Sequence, residues 1–249
     1  MKRLLAILLV SLCLFSLFSC AAAEPLPEKP APELMQLSTE KMRSYASYEM
    51  NFTLEANNSS SRGMSKITLR CAANGDLYMK MVSESSEEGA SQKSTTEMTL
   101  IGEDAYLSIS HPVYSQKLKT SATEASIMLG TIPKLEDIFG GFTDDDFATA
   151  EVTVGTNTWT VTLTEPLDFS GIGIDLTDMN VKSMVTKIVI GRDYNIRSVT
   201  TTFDVEEKTG SSDEELVAYT GKLAVSFSRL GTTRVSLPAD ADEYRSVDG

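Results

Sequence analysis

The stretch Tyr48-Glu49-Met50-Asn51-Phe52-Thr53-Leu54-Glu55 alternates apolar and polar residues at every step. Successive side chains of a strand point to opposite faces, so this stretch describes a strand with one dry and one wet face, the pattern of an antiparallel sheet. The period recurs outward from it. Ile67, Leu69 and Cys71 alternate with Lys66, Thr68 and Arg70; Asn74-Gly75 then supplies residues that tolerate positive φ in a tight turn, and Leu77, Met79 and Met81 return. Met98 and Leu100, followed by Ala105, Leu107 and Ile109, predict a hairpin around Gly102-Glu103-Asp104. Val152 and Val154, then Trp159, Val161 and Leu163, flank Gly155-Thr156-Asn157. A further hairpin runs from Met184 to Ile190, turns through Gly191-Arg192-Asp193 and returns as Ile196 to Val205. Leu223, Val225 and Phe227 offer a last strand, with Val235 and Leu237 close behind and Pro238 ending regular structure.

Three stretches leave this period. Glu33, Leu34, Leu37, Lys41, Met42 and Tyr45 recur at helical spacing, which predicts an opening helix after Pro32. Ser83 to Ser94, rich in Ser, Glu and Gly, reads as a mobile loop. Between Ser121 and Phe147 apolar residues are scattered around Gly130, Pro133 and Gly140-Gly141, which predicts short broken helices that could form a lid. The fold class is therefore mainly β (α+β): a curved antiparallel sheet or half-barrel of about nine or ten strands, with an N-terminal helix and a short helical lid.

The N-terminus has the layout of an export signal. Lys2 and Arg3 precede an apolar run from Leu4 to Phe18 that is too short to span a bilayer comfortably. Leu17-Phe18-Ser19-Cys20 resembles a bacterial lipobox, although Phe18 is bulkier than the residue usual at its place. That resemblance implies a signal peptide over 1–19 and a mature chain that begins at a diacylglyceryl-modified Cys20, held at the extracytoplasmic face of the cell membrane. Two or more acyl chains suffice for a firm anchor. Cleavage after Ala21-Ala22-Ala23 is the alternative, and would release a soluble protein beginning at Glu24. Residues 20–32, with four prolines, read as a tether that would reach about 35 to 40 Å if extended. Residues 33–249 then form a single β-rich domain.

Composition excludes several functions. A net charge of −13 repels nucleic-acid phosphates and anionic headgroups, so no nucleic-acid partner is expected and attachment falls to acyl chains. If Cys13 leaves with the signal and Cys20 is acylated, as the lipobox resemblance implies, Cys71 has no disulfide partner and reads as a small buried hydrophobe in the inward phase of Ile67 and Leu69; a free Cys20 could in principle pair with it, but sits on a Pro-rich tether. His111 is the one histidine, and neither a metal cluster nor a nucleophile arrangement surrounds it. Asp144-Asp145-Asp146 lacks the ligand spacing of a calcium loop and is explained by helix N-terminal charge, with Thr143 or Asp144 as cap. Gly171-Ile172-Gly173 lacks the third glycine of a nucleotide loop, and a single Trp159 is a poor supply of platforms for carbohydrate. The chain is expected to be no enzyme and to need no cofactor or metal.

The order of features is a lipobox-like cysteine, a spacer, an opening helix, a long meander, a helical interruption, more hairpins, and a Val235-x-Leu237-Pro238 ending followed by Ala239 and Tyr244. It resembles the LolA/LolB-like and LppX-like bacterial lipoproteins, whose half-barrel sheet cups a hydrophobic cavity under helices. The resemblance implies binding or transfer of a lipid or acyl chain without chemistry. The expected lining is Tyr48, Met50, Phe52, Leu69, Met79, Met81, Leu107, Trp159 and Leu163, with Ile127, Met128, Ile138 and Phe139 on the lid. The alternative is an envelope assembly module whose sheet is filled by its own side chains and which docks an envelope protein partner.

Overall fold

The computed structural model describes residues 25–87, 90–129, 143–165, 179–208 and 216–247. Within them lie β1 (Tyr48–Asn57), β2 (Ser61–Cys71), β3 (Leu77–Glu87), β4 (Ala90–Ile101), β5 (Asp104–His111), β6 (Tyr114–Ser121), β7 (Glu151–Val154), β8 (Thr158–Leu163), β9 (Met179–Gly191), β10 (Ile196–Lys208), β11 (Leu216–Ser228) and β12 (Arg245–Ser246). All twelve join one curved sheet in the order β12-β6-β5-β4-β3-β2-β1-β11-β10-β9-β8-β7. Every pairing is antiparallel except the short parallel ladder of β12 on β6. β1 is the hinge of the order: β2 to β6 run away from it as one wing, and β11 back to β7 as the other.

Helix α1 (Ala31–Arg43) opens the domain, with Pro30 at its cap and Pro32 in the first turn, where a missing N–H costs nothing. Glu33 near its start and Lys41 and Arg43 near its end suit the helix dipole. Its buried stripe of Ala31, Leu34, Met35, Ser38 and Met42 faces the sheet, and its apolar members join one core with Met50, Leu69, Trp159, Ile188 and Phe227. That shared core defines the inner face of the sheet.

The turns follow their residue chemistry. Gly75 takes φ 90° after Asn74, and the Asp76 carboxylate accepts the Gly102 N–H at 3.1 Å, tying two neighbouring turns together. Between β9 and β10, Tyr194 is left-handed at φ 60°, a conformation costing a non-glycine residue roughly 1–2 kcal/mol. Its ring stacks on Trp159 at 5.4 Å, which explains why a tyrosine is kept where a glycine would be easier.

Four expectations are corrected. Twelve strands replace nine or ten, because β6, with Leu118 as its one inward aliphatic side chain, and the two-residue β12 carry almost no alternation. Most of Ser83 to Ser94 is strand: β3 and β4 continue through it to Glu87 and from Ala90, held by cross-strand pairs such as Lys93 with Glu84 at 2.6 Å. Val235 and Leu237 are not in a strand, since Arg229 (φ 50°) and Gly231 (φ 72°) turn the chain out of the sheet and Leu237 is 52% exposed. Part of the expected tether is packed: Leu26 is buried, and the Pro27 carbonyl accepts the Trp159 indole N–H at 2.9 Å.

Beyond Gly231 the chain forms a strap across the outer face of β2 to β6. Lys117 pairs with both Asp240 and Glu243, the Tyr244 ring meets Tyr106 edge-on at 5.5 Å, and the Val247 N–H reaches the Lys119 carbonyl at 3.0 Å. Thr99 and Tyr106 are thereby buried on a face that alternation alone would leave wet.

Candidate functional site

The inner face is built in rows that the register fixes. Met50 lies opposite Leu69, then Met79, Met98, Leu107 and Leu118 follow across the wing, and Phe52 lies opposite Ile67, then Met81, Thr96 and Ile109. One row further along the strands, the face changes character: Leu54 lies opposite Ser65, which is followed by Ser83 and Ser94. The Ser65 and Ser83 hydroxyls approach to 3.5 Å. A hydroxyl row therefore borders the apolar rows on this wing.

The other wing is apolar and closed in the rows that continue the ledge, while Phe203 and Val181 further out are half-buried. Met184, Ile188, Val205, Leu163 and Leu223 are each below 4% exposure, and the one polar pair among them, Thr186 with Thr201, shares a buried hydroxyl hydrogen bond of 2.9 Å. Gly221 leaves room for the Phe203 ring, which lies where a Cβ would stand.

The expected lining residues divide between these environments. Tyr48, Met50, Leu69, Trp159 and Leu163 are buried core. Phe52, Met79 and Leu107 are only partly buried against that core, and Met81 is likewise half-buried. Ile67 and Ile109 complete the same half-buried ledge, and alternation placed them on the inner face without marking them as lining. Ile127 and Met128 fall in helix α2 (Ala122–Leu129) with side chains outside the described residues, as are Ile138, Phe139 and Cys20.

Cys71 sits at the closed end of the ledge, beside Tyr48. Burial pushes its thiol above the ordinary value and a hydrogen bond to Tyr48 only partly offsets this, so it stays protonated and unreactive at neutral pH. On the outer face Glu49 is the most enclosed carboxylate of an ion pair among the described residues. Burial alone would raise it, but the Arg70 Nε–H donating at 2.7 Å and the Arg70 and Arg229 charges hold it below the usual carboxylate range.

The remaining polar features have structural work. His111 stacks on Tyr114 at 5.1 Å at the β5–β6 turn, and its Nδ1 accepts the Val113 N–H at 3.4 Å. In the acidic triplet, Asp146 turns back to accept from both the Thr143 N–H (2.7 Å) and its hydroxyl (2.8 Å), while Asp144 occupies the cap of a short 3-10 turn (Asp145–Phe147) without a side-chain bond. Among the described residues no group of three or more His, Cys, Asp or Glu is placed to hold a metal ion. Gly171-Ile172-Gly173 lies outside the described residues.

No protein-family model and no curated protein matches the sequence. Among solved structures, LprF from Mycobacterium bovis is similar over 85% of this chain and 98% of its own, at 12% identity and a TM-score of 0.38. MucB in complex with MucA(peri) aligns over 84% of this chain and 99% of its own, at 8% identity and a TM-score of 0.15. Neither likeness is close enough to carry a functional argument.

Proposed function

We propose that this chain is an extracytoplasmic lipoprotein, anchored to the membrane through acylated Cys20, that binds a lipid or acyl chain on the inner face of its sheet. The observation that supports this is the ledge of Phe52, Ile67, Met79, Met81, Leu107 and Ile109. Its side chains stay half-buried while the corresponding rows of the opposite wing are closed. Contiguous half-exposed apolar surface, rich in adaptable methionine, favours an apolar partner. The bordering hydroxyl row of Ser65, Ser83 and Ser94 would face the more polar end of that ligand.

The test is native mass spectrometry and lipid extraction of the full chain purified from bacterial membranes. Lipid should co-purify, and placing charge on the ledge with Met79→Glu and Met81→Glu should reduce it about tenfold while circular dichroism is unchanged. A protein free of lipid, or a double variant that keeps its lipid, sinks the reading. Labelling with radioactive palmitate, lost in Cys20→Ala, tests the anchor separately.

A second reading, an envelope assembly module without a ligand, is favoured by the burial of Tyr48, Met50, Leu69, Trp159 and Leu163 as ordinary core. It predicts a lipid-free protein whose ledge variants lose a protein partner instead.

A further inference from the structure

The strap and the outer face of the sheet enclose a groove of about 520 Å³. It lies on the side of the sheet opposite the apolar ledge. Its floor is Tyr78, Thr99, Ser108 and the head groups of Arg70 and Glu97, and its far wall is the strap from Arg234 to Asp240 with Tyr244. Two tyrosines distant in sequence thus line one concavity.

The charges in the groove are matched with one exception. Arg70 is held by Glu49 at 2.7 Å, Glu97 by Lys80 at 2.6 Å, and Asp240 by Lys117. Arg234 is exposed on the wall and has no ion-pair partner among the described residues. The phenols remain neutral, because burial and the nearby Glu97 carboxylate raise Tyr78, and burial and Asp240 raise Tyr244.

We propose that this groove binds a saccharide bearing a carboxylate, its ring against the tyrosines and its carboxylate on Arg234. A fatty acid or other apolar ligand would cover the charged heads of Arg70, Glu97 and Arg234 without offering Arg234 a counter-charge, an expensive burial. A neutral sugar would use the aromatic and hydroxyl surface but leave Arg234 idle, whereas a planar guanidinium matches a carboxylate in two parallel hydrogen bonds. A polymer dense in phosphate is opposed by the net charge of −13. The single tryptophan, buried on the other face, is no measure of the platforms available here.

Saturation-transfer NMR on the full chain, in a detergent without a sugar head group, tests this with D-glucuronate as probe and D-glucose and benzoate for comparison. Transfer to the glucuronate ring protons is expected, with glucose and benzoate weaker. Arg234→Gln should weaken glucuronate about fivefold or more with the thermal midpoint unmoved, since that side chain is exposed and unpaired. Tyr244→Leu should abolish transfer. Absence of transfer to glucuronate, an unchanged titration in Arg234→Gln, or benzoate binding equal to glucuronate overturns the proposal. The Met79→Glu, Met81→Glu variant should keep glucuronate binding, so failure at one face is distinguishable from failure at the other.

Discussion

Trp159 donates its indole N–H to the carbonyl of Pro27 at 2.9 Å, a bond between a strand of the far wing and the segment that leads into the first helix. The indole is almost wholly buried and stacked on Tyr194, so it fixes both the N-terminal approach and the left-handed turn before β10. Trp159→Phe should keep the packing and lose this bond, costing about 1 kcal/mol, while Trp159→Ala should cost about 3–5 kcal/mol through the cavity it leaves. Hydrogen exchange at the Leu34 N–H, which donates to the Pro30 carbonyl at 3.1 Å, should speed up in Trp159→Phe; unchanged exchange there would show that the bond does not hold the segment.

The two wings should respond differently to truncation. Leu223→Ala, in the closed wing, is expected to cost about 2–5 kcal/mol in urea unfolding, whereas Met81→Ala, on the half-buried ledge, should cost about 1 kcal/mol or less. Equal losses at the two positions would mean that the ledge is as tightly packed as the core.

Gly221 is needed for a close approach. A Cβ there would lie 2.3 Å from Phe203 Cζ and 2.5 Å from the Glu55 carbonyl oxygen. The ring tip can move but the backbone oxygen cannot without disturbing the β1–β11 ladder. Gly221→Ala should therefore destabilise the protein by about 1–3 kcal/mol, read as a shift in urea midpoint. A neutral or stabilising outcome would contradict this packing.

Acid should weaken the outer face at Glu49. Its carboxyl is held low, so its stabilising contribution is present above the unfolded carboxylate value and drains away as pH falls through the folded one. Arg70→Leu should cost about 1 kcal/mol at neutral pH, a modest figure because the Arg70 head is partly open to solvent. The two proteins should converge in stability as pH falls below the ordinary carboxylate range and Glu49 becomes protonated in both. A deficit that persists undiminished there would assign the loss to packing rather than charge.

The alternation from Tyr48 to Glu55 located the central strand and its inner face, and Asn74-Gly75 located a turn, because each is set by local side-chain chemistry. The outer part of the β3–β4 hairpin was not legible. Its residues are polar on both faces, and their strand geometry comes from partners across the sheet, such as Ser83 beside Ser65 and Lys93 beside Glu84. The same limit applied to the site. Periodicity placed Met81 and Leu163 on one face alike, but which wing is closed depends on what packs over each, a long-range property. The outer groove was hidden for the same reason, since Tyr78 and Tyr244 meet only through the strap.

The docking of Leu26 and Pro27 sets how far the domain could travel. Were Cys20 fixed in a bilayer, only the five residues 21–25 would remain as leash, at most about 18 Å when fully drawn out. On so short a lead the sheet would be confined to a thin layer beside the lipid headgroups.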